Sequence, residues 1–337
     1  MRLTLLLLVA IAAVPRAVVA ADAAGTDREY KLSTALSPAY ALGRAAARWA
    51  ELVGEKSAGR LRIKLHPGAT LAQRDPAREF AALRGGEAEL AVGSSLAWAD
   101  AVPALNLVGL PWIAPTDIRL AAFAREPLAG VLRDALAAAG VEPLAFAPLG
   151  HRALVLARNG LARPDELTGL RLRIPSSMLL ADLYGSMGAL PRTLGFADAQ
   201  AAFKAGTLDG QDGAPAAFVA ARLDALGMRQ VVDWKAVGEL AVFAVNRRVW
   251  QGWPAADQEV VRAAAVQAAE VLAVLARDEN DRALAELRRQ GYALTRLTPE
   301  GRTAFTAAAK SAYDKAEAAI GPAVVRSAEA VLATGAP

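Results

Sequence analysis

The chain has 337 residues, 54% of them hydrophobic, and a formal net charge of +4 from 38 basic and 34 acidic side chains. That apolar share excludes a disordered chain and supports a large core, and the length suggests about two domains. The near-balance of charge excludes a dedicated nucleic-acid binder, and the lack of cysteine excludes disulfide scaffolds, thiolate metal sites and cysteine nucleophiles. Met1-Arg2 is a basic start, and residues 3–14 form an apolar run. That run is shorter than the ~20 residues that span a bilayer. Small residues in Val18-Val19-Ala20 suit cleavage after Ala20, with Ala23 as a second candidate. Residues 1–20 therefore read as a cleaved signal peptide, and the protein as exported.

Residues 29–34 read as a strand, followed by a loop to Tyr40. From Ala41 the apolar residues recur at helical spacing, with Arg44, Glu51 and Glu55 on the other face. Residues 60–65 alternate as a half-buried strand that Pro67-Gly68 closes. A short helix over 77–83 ends at Gly85-Gly86, and a strand over 89–92 runs into Gly93-Ser94-Ser95. This β-α-β-α-β run predicts a mostly parallel sheet covered by helices. A second block repeats that logic, with strands over 141–148, 153–157 and 170–174. Ser176 is expected to cap a helix through Leu183, and Asp198 to cap another that Gly206 ends. Strands over 231–234 and 240–245 follow. Pro254 is placed at N1 of a helix of about 37 residues that reaches Gln290, some 55 Å at 1.5 Å per residue. That is longer than one small domain is wide, so the helix bends or crosses between lobes. Residues 292–297 read as a strand, and Thr298-Pro299 as the cap and first position of the C-terminal helices.

Catalytic signatures are missing. The chain has no G-x-G-x-x-G, no phosphate-loop motif, no G-x-S-x-G and no H-E-x-x-H. His66 and His151 are the only histidines. Neither a His-rich metal site nor a catalytic residue set is expected, and no cofactor or metal is assigned.

Several segments, in order, carry a family resemblance. They are Pro67-Gly68-Ala69-Thr70-Leu71, Leu83-Arg84-Gly85-Gly86-Glu87-Ala88-Glu89-Leu90 and Leu110-Pro111-Trp112, then Leu167-Thr168-Gly169-Leu170-Arg171-Leu172-Arg173-Ile174-Pro175 and the run from Asp198 to Gly210. Together they resemble the periplasmic solute-binding subunits of TRAP transporters, the DctP type, over most of residues 28–297. The resemblance implies an α/β two-lobe fold of the periplasmic-binding-protein kind, with mixed sheets flanked by helices and a long interlobe helix. Lobe I would comprise residues 25–149 plus about 238–275, and lobe II residues 150–237 plus about 276–337. It further implies a periplasmic receptor without chemistry of its own. Such a receptor would capture a carboxylate-bearing organic acid and pass it to TRAP-type membrane permease subunits.

The family's carboxylate-clamping arginine falls on Arg173. A guanidinium offers a planar fork of donors that meets a carboxylate bidentately. In an ideal strand Arg171 faces the same side, so strand geometry does not choose between the two; the family register chooses Arg173. Arg152 resembles a second basic contact, with His151 beside it as a donor or a packing residue. Ser176 matches a polar contact position, and Phe196 an aromatic that packs on the solute. Asp212, in Asp209-Gly210-Gln211-Asp212-Gly213, stands where the family often has Glu. Gly213 replaces a solute-touching Asn, and the lost side chain would leave room for a bulkier acid. In the first lobe Tyr40, Ser94, Ser95 and Trp98 could line the cleft. One alternative is a receptor for an amino acid or an uncharged ligand, with Asp212 facing the amine. A more distant one is an exported α/β hydrolase or lyase.

Overall fold

Two mixed sheets organise the computed structural model, which describes residues 28–334. The signal peptide read over residues 1–20 lies outside the described residues. The first sheet contains β1 (Glu29–Thr34), β2 (Arg62–Pro67), β3 (Leu90–Ser94) and β4 (Val141–His151). The second contains β5 (Ala153–Leu156), β6 (Arg171–Ile174), β7 (Leu190–Thr193), β8 (Gly210–Gly213) and β9 (Gln230–Val232). Then β10 (Gly238–Asn246) returns to the first sheet, and β11 (Ala293–Thr295) joins the second. The strand orders are β2-β1-β3-β10-β4 and β11-β9-β5-β8-β6-β7. In the first sheet β1 is parallel to β2 and β3, whereas β10 runs antiparallel to β3 and β4. In the second, β6 is parallel to β7 and β8, and β5 runs antiparallel to β8 and β9.

β10 is apolar from Leu240 to Val245 and buried along that length, as a strand covered on both faces must be. The chain leaves the first sheet at Arg152, between β4 and β5, and comes back through residues 233–237. The two crossings are tied together, because Arg152 N donates to Val237 O at 2.9 Å. A third connection is the helix Ala255–Arg289, 35 residues long. It spans about 52 Å at 1.5 Å per residue. Its buried stripe of Ala264, Ala265, Ala268, Ala269 and Ala276 lets the helix Ala41–Lys56 and β4 approach closely. Trp49 Nε1 fastens the helix pair by donating to Val261 O at 3.1 Å. No helix among the described residues is long and apolar enough to cross a membrane.

Local starts and stops depart from the sequence expectation in several places, among them strands read over 60–65, 231–234 and 292–297 that run over Arg62–Pro67, Gln230–Val232 and Ala293–Thr295. Ser177, not Ser176, caps the helix Met178–Ser186: its extended backbone aims Oγ at Leu180 N, 3.3 Å away, while Ser176 stays exposed. The next helix, Phe196–Lys204, starts after Gly195, so Asp198 lies in its first turn rather than at its cap. There its charge still favours the positive helix end. Pro254 is the N-cap of the long helix rather than its first residue. β7 and β8 were not expected as strands; β8 pairs because Gly210 lets β5 come close, and a Cβ there would stand 2.6 Å from Val155 O. Thr298 caps its helix as expected, accepting from Gly301 N at 3.0 Å, with Pro299 in the first turn.

An aromatic cluster braces the second crossing. Trp234 stacks on Tyr184 with ring centroids 5.7 Å apart and meets Trp112 and Phe305 edge-on at 5.8 Å each. Trp112 Nε1 donates to Trp234 O at 3.1 Å. These rings pack around the second crossing at Trp234.

Candidate functional site

Where the crossings meet the strand ends, a chain of polar side chains runs from the first sheet to the second. Ser94, at the end of β3, donates its hydroxyl to Glu239 Oε1. Glu239 Oε2 accepts from Arg152 Nη1 at 2.8 Å, and Arg152 Nε donates to Asp212 Oδ1 at 2.5 Å. Asp212 Oδ2 accepts from the Tyr184 hydroxyl at 2.8 Å. Asp212 and Tyr184 are fully buried and Arg152 nearly so. Burial opposes the charge on Arg152, but the Asp212 and Glu239 carboxylates outweigh it and raise its pKa above the usual arginine value. Burial, then the Asp212 charge, pushes the Tyr184 phenol up, so it remains a donor.

Arg173 sits beside this chain, near the end of β6 and in register with Gln211 of β8. Its Nε donates to Leu194 O at 2.9 Å. No carboxylate among the described residues pairs with its guanidinium. Burial, with the neighbouring Arg152 charge, pushes it down to about 10, and Asp212 offsets this only in part. It is therefore still charged at neutral pH, and its two terminal nitrogens lack an anion. Arg171, two residues earlier, is different. It grips Asp209 through Nε and Nη2, both at 2.8 Å, and donates to Gly206 O at 3.0 Å.

The other sequence candidates separate. Arg152, Asp212 and Ser94 come together with Arg173. Ser95 is buried and accepts from Leu240 N at 3.0 Å, holding β10 beside β3. Trp98 is fully buried against Phe80, ring centroids 5.5 Å apart. Its ring fills the space a Cβ on Gly93 would need. Tyr40 precedes the helix Ala41–Lys56, whose first residues bond Glu279 of the long helix. None of these contacts joins the polar chain. Ser176 is exposed, and the side chain of Phe196 lies outside the described residues. His151 Nε2 meets Ala114 O at 2.7 Å, with Asp117 on its other nitrogen at 3.3 Å, so it belongs to the crossing's scaffold. Gly213 opens no room for a larger solute: the Phe218 ring stands 3.0 Å from where its Cβ would be.

Sequence reasoning missed Glu239 and Tyr184. Glu239 did leave a signal, as a lone charge heading an apolar strand. Tyr184 left a weaker one, as a polar-tipped ring in an apolar helix, where a buried hydroxyl needs a partner. A cavity of about 520 Å³ lies beside the crossings, lined by Phe146, His151, Lys235 and Arg277, but neither Arg173 nor the polar chain lines it. No cluster of three or more acidic or histidine side chains among the described residues is placed to hold a metal.

A family model described as bacterial extracellular solute-binding protein, family 7 (DctP), matches residues 32–319. The chain is 25% identical over 305 residues to the C4-dicarboxylate-binding periplasmic protein DctP of Rhodobacter capsulatus, covering 90% of each. It is 29% identical over 268 residues to the uncharacterized protein y4mM of Sinorhizobium fredii, covering 78% of this chain but only 48% of that protein. A crystal structure of a TRAP periplasmic solute-binding protein from Ralstonia eutropha H16 superposes with a TM-score of 0.86 at 36% identity. That match covers 91% of this chain and 99% of the other, which holds (S)-2-acetolactate.

Proposed function

The chain belongs to family 7 of the bacterial extracellular solute-binding proteins, the DctP family, and we propose that Arg173 clamps the carboxylate of an organic acid held between its two lobes. As a member of that family it is a receptor, not an enzyme. The observation that carries the clamp is the shielded, unpaired guanidinium of Arg173. A shielded charge is costly unless paired, and two terminal nitrogens left without an anion fit a carboxylate's two oxygens. Arg152 flanks Arg173 rather than clamping the anion, because its charge is already met by the Asp212 and Glu239 carboxylates. The relatives support an acid as the solute: one is named for C4-dicarboxylates, and another holds a hydroxy-oxo acid.

The sheet memberships support dividing the lobes near 149 and 238, with the long helix shared about residue 275. The lobes touch at the lip, where Met178 N donates to Asp100 Oδ1 at 3.2 Å. A bound acid would favour that contact and present a joined surface to a TRAP-type permease. Export to the periplasm would follow cleavage after Ala20 or Ala23. Against the amino-acid alternative, Asp212 is fully buried and already accepts from Arg152 and Tyr184.

The test is a thermal-shift screen of residues 21–337 against mono- and dicarboxylates, oxo acids, sugar acids and amino acids. Ligand at 100 times its Kd adds about 2.7 kcal/mol of stability. The expected result is a shift confined to acids and lost in Arg173→Ala, whose affinity falls by about 30-fold or more for a loss of about 2 kcal/mol. Unchanged binding by Arg173→Ala would remove the clamp.

A further inference from the structure

We infer that the cleft selects monocarboxylates over dicarboxylates, and that Glu239 sets this selection by holding Arg152 out of use as a second clamp. The inference rests on Arg173 being the carboxylate clamp. A dicarboxylate site needs a second cation free to receive the second anion. Arg152 is the cation next to Arg173, yet its Nε and Nη1 are spent on Asp212 and Glu239. The two acids more than neutralise Arg152, so Arg173 is the one guanidinium of the pair left to balance a bound carboxylate. A second carboxylate reaching Arg152 would lie beside two acids that already neutralise it. Like charges brought together with little water between them discriminate strongly against the wrong solute.

Asp212 is committed twice, to Arg152 and to the Tyr184 hydroxyl, and is fully buried. Glu239 is different. It is 15% exposed along its side chain, and its second oxygen is held by Ser94 alone. It is the more exposed of the two acids and the one that can be neutralised without emptying the core. Arg152 Nη2 has no partner among the described residues. It is a donor to a neutral acceptor such as a hydroxyl or a carbonyl oxygen. The solute class that fits is a short hydroxy- or oxo-monocarboxylate, with its charge on Arg173 and its neutral oxygen toward Arg152.

The experiment is calorimetric titration of the exported protein with size-matched probes. Succinate is compared with monomethyl succinate, and malate with its 4-methyl ester, in wild type and in Glu239→Gln. In wild type the monoanion of at least one pair binds about tenfold tighter or better than its dianion. Glu239→Gln shrinks that ratio by about tenfold, because it removes one of the two negative charges that neutralise Arg152. Wild-type protein that binds dianions as tightly as monoanions overturns the inference, and so does a ratio that Glu239→Gln leaves unchanged. If Glu239→Gln fails to fold, the wild-type ratios alone decide. Failure of the clamp itself reads differently: Arg173→Ala would then leave monoanion binding intact.

Discussion

Each lobe shields an ionisable side chain that has no ion-pair partner, fully in one case and partly in the other, and the two settle the cost in opposite ways. In lobe I, Glu79 is fully buried at the start of the helix Glu79–Gly85, where the Ser33 hydroxyl donates to its carboxylate at 2.7 Å and the Trp98 side chain is a second polar neighbour. Burial pushes it up to about 7. In lobe II, Arg173 is shielded with one carbonyl for company, and burial pushes it down to about 10. A carboxyl raised that far discards its charge near neutral pH. A guanidinium at 10 cannot. Glu79 thus needs no partner, whereas Arg173 stays charged and waits for an anion. The same physical penalty produces a structural acid in one lobe and a binding group in the other.

The largest effect comes from making a second cation resemble Arg173. Asp212→Ala strips Arg152 of one buried carboxylate and leaves the Tyr184 hydroxyl without its acceptor. Breaking a buried pair by removing one partner costs about 3–5 kcal/mol. Urea unfolding of the variant should show that loss. A loss under about 1 kcal/mol would place the pair in the solvent-screened class and make Arg152 a poor contrast to Arg173.

Glu79 offers the next test, with a definite sign. Its folded pKa of about 7 lies above the ordinary carboxyl value of 4.5. The folded state therefore holds its proton more tightly than the unfolded one. The penalty is absent below pH 4.5, grows between about 4.5 and 7, and is complete above 7, where it amounts to roughly 3 kcal/mol at 1.36 kcal/mol per pKa unit. Glu79→Gln keeps the shape and the acceptor for Ser33 without the charge. It should stabilise the protein by that amount at pH 8 and by almost nothing at pH 4.5. Equal gains at both pH values would mean that packing, not charge, explains the change.

Much of this frame was legible in the sequence, and the losses have physical causes. Alternation and helical spacing gave the two α/β blocks, sheer length said that the helix after Pro254 bends or crosses between lobes, and the family resemblance chose the crossing. The cleft's polar chain was half hidden because its bonds join residues far apart: Arg152 lies 60 positions from Asp212 and 87 from Glu239. Nothing local at Glu239 says which cation it meets. Ser176 and Ser177 are the same residue type side by side, so composition could not say which hydroxyl turns toward the helix. Gly213 looked like vacated space, but only packing shows that Phe218 fills it. Arg171 and Arg173 share one face of one strand, and the alternation that puts them there cannot tell them apart.

That last pair supplies the smallest effect and the cleanest control. Arg171 is about one-third exposed and its charge is spent on Asp209, to which it bonds through Nε, Nη2 and its own backbone N–H. An ion pair open to water contributes about 0–1 kcal/mol. Asp209 is held low chiefly by the Arg171 side-chain hydrogen bond. Any contribution is therefore present above the ordinary carboxyl range and fades as acid protonates Asp209. Arg171→Ala should cost no more than that at neutral pH and less near pH 3, and it should leave solute affinity within about twofold of wild type. Titration of the solute found in the acid screen checks the affinity. A binding loss comparable to that of Arg173→Ala would mean that both guanidiniums reach the solute, and the separation drawn between a paired and an unpaired arginine on one strand would fall.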